Sequence, residues 1–221
     1  MKHRTLMQLL ILLTALPPLS FAASGVSQAI GKKDNPALDQ KVKAFLDEHR
    51  RQWRDMNVSA RDGEALYNLI LEHGYTRVLE IGTSTGHSGT WIAWALSKTG
   101  GRLTTIDIDE YRHAQAVENF KKAGLSEYID ARLADAHDLI PKLQGPYDFI
   151  FADADKEWTT NYFKMLLPKL LVGGCFASHN VGMRGVDDFL DYVKTLPNFE
   201  TRIDPESRMI SLSFKKSERS P

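Results

Sequence analysis

The chain has 221 residues, 43% of them hydrophobic and 25% charged, with Lys plus Arg and Asp plus Glu at 28 each. That length suits one domain with its own core, and the neutral balance gives no global field to draw in nucleic acid or acidic membranes. The single cysteine, Cys175, excludes an intrachain disulfide and any zinc site built on two thiolates, and its run Gly173-Gly174-Cys175-Phe176-Ala177 reads as a buried strand.

Lys2, His3 and Arg4 precede an apolar run over 6–16, then Pro17-Pro18 and Ser20-Phe21-Ala22-Ala23. A basic start, a short apolar stretch and a small-x-small site predict a signal peptide over 1–22 and an exported chain, periplasmic or secreted. The run is shorter than the ~20 residues a spanning helix needs, so no stable span is expected after cleavage. An uncleaved N-terminal membrane anchor is the rival reading. Residues 23–36 are rich in Ser, Gly, Lys and Asn without apolar period and read as a linker. The domain is expected over 37–217.

Helical spacing joins Leu38, Val42, Phe45 and Leu46, and again Leu66, Leu69, Ile70 and Leu71. Short apolar runs follow at 77–81, 103–108, 129–133, 147–151, 174–177, 199–203 and 209–214. Between the first five lie segments that fit helices at 88–97, 110–123, 137–143 and 159–171, and a further helix fits 186–196. Apolar strands alternating with helices predict an α/β fold, a mostly parallel seven-stranded sheet with helices on both faces. The last two strands are joined by only Asp204-Pro205-Glu206-Ser207-Arg208, too short for a crossover, so they should close the sheet as an antiparallel hairpin.

The first strand ends in Glu80-Ile81-Gly82-Thr83-Ser84-Thr85-Gly86-His87-Ser88. Gly82 and Gly86 permit a tight turn that approaches a ligand closely. The spacing matches neither phosphate-binding glycine motif, and the acidic Glu80 suits a cationic ligand better than a pyrophosphate. An ordinary strand–helix turn would look similar. Asp107 ends the second strand about 25 residues after Gly82, where a carboxylate can accept from ribose hydroxyls. Asp109 reads as a helix cap. The next three strand ends carry Asp135 and His137, Asp153 with Asp155 and Lys156, and His179-Asn180, and ligands of open α/β sheets bind at that edge.

In this order the motifs resemble the cation-dependent O-methyltransferases, the catechol and caffeoyl-CoA enzymes among them. The resemblance rests on Glu80-Ile81-Gly82-x-x-x-Gly86-x-Ser88, Asp107, Asp153-x-x-Lys156, Asn180-Val181 and the upstream Met56-Asn57-Val58, and covers roughly 40–216. It implies a Rossmann-like methyltransferase fold that uses S-adenosylmethionine. Met56 and Val58 would pack near the methionine moiety, Glu80 and Ser88 would hold its polar end, and Gly82 and Thr83 would form the turn beside it. Asp107 would bind the ribose, with Ile108 and Ala136 beside the adenine. Asp153, which also borders the cofactor, would join His179 and Asn180 in the metal triad, and Lys156 would be the general base. The acceptor would be a hydroxyl of a small phenolic or catechol-like molecule, and a homodimer is compatible with the resemblance.

Position 179 departs from the family, which usually has a carboxylate there. Mg²⁺ prefers oxygen ligands, whereas imidazole suits Mn, Fe, Co, Ni or Zn. Three readings stand: His179 ligates a softer metal, Asp153 and Asn180 hold a weak one alone, or the site works without metal. Asp62 falls where the catechol enzymes would have lysine, and Asp155 reads as a helix cap. Trp53, Trp158 and Tyr162 are candidates for an aromatic acceptor pocket. A non-catalytic exported protein that binds an S-adenosyl ligand is the alternative from another class.

Overall fold

Asn35 accepts from the Leu38 amide at 3.1 Å and Pro36 occupies the first turn, which starts helix α1 (Pro36–Glu48). The structure is a computed structural model that describes residues 34–218. The expected signal peptide and almost all of the expected linker lie outside those residues. Helix α2 (Ala60–His73) opens on a reciprocal cap between Ser59 and Asp62 and stops at the left-handed Gly74. Strand β1 (Arg77–Ile81), helix α3 (His87–Thr99), strand β2 (Arg102–Asp107), helix α4 (Glu110–Ala123) and strand β3 (Ile129–Leu133) follow. The short α5 (Ala136–Leu139), β4 (Tyr147–Ala152), α6 (Thr159–Leu166), β5 (Leu170–His179), α7 (Arg184–Lys194), β6 (Phe199–Ile203) and β7 (Ile210–Lys215) complete the chain.

The seven strands form one sheet in the order β3-β2-β1-β4-β5-β7-β6. All pairings are parallel except those of β7, which runs antiparallel to both β5 and β6. The expected closing hairpin is therefore present, and β7 is wedged between β5 and β6. Period-2 alternation sends successive residues to two cores. Val78, Phe149 and Phe151 pack with Leu66, Ile92 and Phe120 on the α1–α4 face. Leu79, Ile81 and Ile150 pack with Phe163, Phe176 and Phe189 on the α5–α7 face. Cys175 is fully buried in β5, as expected. No helix of the described residues is long and apolar enough to cross a membrane.

Several element boundaries differ from expectation, most at α6 and β5. The helix expected over 159–171 ends at Leu166, because Pro168 lacks the amide a helix needs and its ring disfavours the α region before it. Strand β5 then runs for 10 residues, far beyond the 174–177 core. The ladder supplies the reason: Leu170 pairs with Tyr147, the register shifts, and Cys175 to Ser178 pair with β4 and with β7.

The order reverses at β1 and β4, which opens a crevice at the carboxyl ends of the parallel strands. Helix α7 supports its far side by direct backbone contact. A Cβ on Gly185 would stand 2.2 Å from the Lys156 carbonyl oxygen and 2.4 Å from its carbon. Gly185→Ala is expected to cost about 1–3 kcal/mol through this overlap. Urea unfolding should show a lower midpoint with an unchanged slope.

Candidate active site

The turn after β1 is built for close approach. Gly82 has φ +98°, and a Cβ there would lie 2.9 Å from the backbone carbonyl of Asp153. The amides of Gly82 and Thr83 donate to the Ile106 carbonyl at 2.9 and 3.2 Å, and the Asp153 amide donates to Ile81 at 2.8 Å. These bonds tie the ends of β1, β2 and β4 together. Asp107 is oriented from both sides, by the Ser84 amide at 2.7 Å on Oδ2 and the Asp109 amide at 2.9 Å on Oδ1. Asp109 caps α4, as expected.

The segment before α2 lies across this turn. Ser84 Oγ donates to the Asp55 carbonyl at 2.5 Å and Asn57 Nδ2 to Thr85 Oγ1 at 2.7 Å. Arg112 of α4 pairs with Asp55 at 3.0 Å. Between these parts is a cavity of about 540 Å³. Of the residues assigned to the cofactor, Met56, Gly82, Asp107, Ile108, Ala136 and Asp153 line it. Val58, Glu80, Thr83 and Ser88 are buried and do not form its wall. Met56, Ile108 and Met183 border it with 74%, 68% and 49% of their surface exposed, far more than apolar side chains normally leave without a ligand or partner.

Glu80 is fully buried. Its Oε2 accepts from Thr105 Oγ1 at 2.6 Å, while Oε1 has no hydrogen-bond partner. Burial pushes this carboxyl up to about 8. Near neutral pH it is therefore held mostly as the neutral acid, beneath the glycine turn and behind the cavity wall.

Lys156, His179 and Asn180 line the same cavity. Asp155 caps the turn that carries Lys156, accepting from the Glu157 amide. Lys156 Nζ donates to Asp153 Oδ1 at 2.5 Å, and His179 Nδ1 lies 3.2 Å from that same oxygen. The other ring nitrogen, Nε2, lies 3.4 Å from Asp62 Oδ2. Asp62 also accepts from the Ser59 amide, from Ser59 Oγ and from Ser207 Oγ. The result is an alternating row of charges, Lys156–Asp153–His179–Asp62, drawn from β4, β5 and α2. Burial opposes charge on the imidazole, but the hydrogen bonds to Asp153 and Asp62 outweigh it and raise His179 to about 9. Burial would likewise raise Asp62, yet hydrogen bonds from His179, Ser207 and Ser59 hold it well below the usual carboxylate range. Asn180 follows with φ +64°, a left-handed conformation that Asn tolerates.

Tyr162 lines the cavity, and His137 stands between it and Trp158, with ring centroids 5.6 and 4.0 Å away. Trp53 does not join them. It stacks on His87 at 4.6 Å and lines a separate cavity against α1 to α3. Sequence reasoning placed Trp53 by residue type alone; only packing separates the two aromatic groups. It also missed the partnership of Asp62 with His179. The one available signal was the acidic residue at a position where lysine was expected.

S-adenosylmethionine, the cofactor implied by the resemblance, fits what is present: a carboxylate at the end of β2, an exposed Ile108 beside it and a turn closed to any Cβ. The implied divalent metal does not fit. Ionised carboxylates only accept, so an imidazole between two of them has both nitrogens engaged as donors and no lone pair for a metal. Asp153 Oδ1 is shared by Lys156 and His179. Among the described residues no group of three or more His, Cys, Asp or Glu is arranged to hold a metal ion.

Comparisons with known proteins agree with this geometry. The profile of a family described as O-methyltransferase matches residues 28–195. A catechol O-methyltransferase from Niastella koreensis is 37% identical over 130 residues, 57% of this chain and 58% of that protein. Caffeoyl-CoA O-methyltransferase 1 from Eucalyptus globulus is 33% identical over 141 residues, 62% of this chain and 57% of that protein. The matched part of the chain thus spans less than two thirds of either relative. The crystal structure of the O-methyltransferase TomG from Streptomyces achromogenes, in complex with SAM, superposes with a TM-score of 0.66 at 25% identity. That superposition covers 84% of this chain and 92% of TomG.

Proposed function

We propose, from the premise that the chain belongs to the O-methyltransferase family, that it methylates a hydroxyl of a small phenolic or catechol-like acceptor with S-adenosylmethionine as donor. The observation that carries this reading is one cavity whose wall holds both Asp107 and the Lys156–Asp153 pair. When bound, the donor supplies an electrophilic methyl group on a sulfonium. Asp107, fixed by two backbone amides, would hold the ribose, and Ile108 and Ala136 would flank the adenine.

The acceptor hydroxyl must lie in line with the methyl group and lose its proton as it attacks. Lys156 stands at the cavity wall with Asp153 against it, so the proton can pass to this pair. His179 stands on the other side of Asp153 from Lys156, which orients the carboxylate that faces the forming oxyanion's neighbourhood. Tyr162 and His137 give a planar ring a surface to pack on. A divalent ion is not part of this proposal, because Asp153 Oδ1 and both ring nitrogens of His179 are engaged with one another and with Asp62.

Purified full-length protein, supplied with methyl-labelled S-adenosylmethionine and a panel of mono- and dihydroxylated aromatics, should transfer label to a hydroxyl oxygen. The product mass should rise by one methyl group. Tight binding of S-adenosylhomocysteine with no transfer across the panel would instead support a non-catalytic ligand-binding protein.

A further inference from the structure

We infer that the Asp62–His179 pair takes the place of the divalent-cation site: the imidazole, clasped between Asp62 and Asp153, occupies the Asp153 oxygen and the space a metal would use. The inference takes the methyl-transfer reading for its consequence, but its physical content is tested without turnover.

Three observations carry it. The first is position. His179 ends β5 directly before Asn180, within 3.2 Å of the Asp153 carboxylate, so any ion bound by Asp153 and Asn180 would meet this ring. The second is saturation. Asp153 Oδ1 already receives Lys156 and His179, and Nε2 of the ring faces Asp62 on the opposite side. The third is the way Asp62 is held. This carboxylate is 4% exposed, sits in the first turn of α2, and receives Ser59 twice on Oδ2 and Ser207 on Oδ1. Ser207 comes from the β6–β7 connection, so the cap residue of one helix is locked from a distant part of the chain. A helix cap alone needs no such clamp. A carboxylate that must face an imidazole does, since two buried charges repay their desolvation only when geometry is fixed and the remaining lone pairs are satisfied.

The pair explains both departures from the family pattern together. An acidic residue at 62 and a histidine at 179 complement each other, because Asp62 faces the ring nitrogen that Asp153 does not reach. It also changes how the site works. A metal chelates two oxygens of the acceptor, whereas a site in which the histidine fills that space makes no demand for adjacent hydroxyls. Acceptors with a single phenolic hydroxyl are therefore open to this chain.

The test uses Mn²⁺ as the probe ion, read by the loss of its free electron paramagnetic resonance signal on titration with the full chain. The wild-type chain is expected to take up no stoichiometric Mn²⁺, with or without S-adenosylhomocysteine. His179→Asp, which returns an oxygen ligand, is expected to gain about 10–100-fold in Mn²⁺ affinity. The double variant His179→Asp with Asp62→Asn avoids three adjacent carboxylates and covers the case in which the single variant does not fold. S-adenosylhomocysteine binding by the same samples reports folding. Stoichiometric Mn²⁺ uptake by the wild type that Asp153→Asn removes would overturn the inference. So would folded variants that bind Mn²⁺ no better than the wild type. Failure of every acceptor in the labelling panel would sink the methyl-transfer reading and leave these results standing.

Discussion

Replacing Lys156 with methionine is expected to lower kcat by about 10²–10⁴-fold, the range that one positioned proton-transfer group contributes. Methionine keeps most of the side chain's length and apolar stem, so the 3-10 turn that carries it should stay in place. The loss should fall on kcat, with S-adenosylhomocysteine affinity close to wild type, because Lys156 meets the cavity beside Asp153 and not at Asp107. Steady-state kinetics on the best acceptor of the panel, with calorimetric titration of S-adenosylhomocysteine, separates the two quantities. A variant that kept its kcat but bound the acceptor more weakly would make Lys156 a binding group and move the base elsewhere.

Asp107→Ala should act on the opposite quantity. A hydrogen bond to a charged group contributes about 1.5–3 kcal/mol, so losing the carboxylate should weaken S-adenosylhomocysteine binding by about 10–100-fold. The Ser84 and Asp109 amides also lose their shared acceptor, so the glycine turn should loosen as well. Calorimetry measures the affinity, and thermal unfolding without ligand reports how much of the change belongs to the turn. An unchanged affinity would remove Asp107 from the cofactor site. Asp107→Asn is the informative companion, because it keeps one acceptor oxygen while discarding the charge.

Local features were legible wherever a single segment decides the outcome. The runs at 77–81, 129–133 and 199–203 are strands with those bounds, and the helix expected at 110–123 is α4, since each carries its own period and stop signals. Asp109 and Asp155 were readable as caps for the same reason: a cap bonds amides two or three residues away. The length of β5 was not readable, because ladder pairing with β4 and β7 extends it. Trp53 and Trp158 could not be told from Tyr162, the one of the three that lines the cavity, because an aromatic residue reads the same in a sequence until its neighbours are known.

By itself the sequence determined the alternation of elements, the closing hairpin and the strand-end residues Asp107, Asp153, Lys156, His179 and Asn180. These depend on periodicity and on where a strand stops. It left open what His179 does, with three readings of equal form. Tertiary structure supplied a partner that no single segment shows, bringing Asp62 from 117 positions away in the chain to the free side of the ring. Whether an imidazole is a ligand or a cation depends on what its two nitrogens meet, and that partner lies on another element.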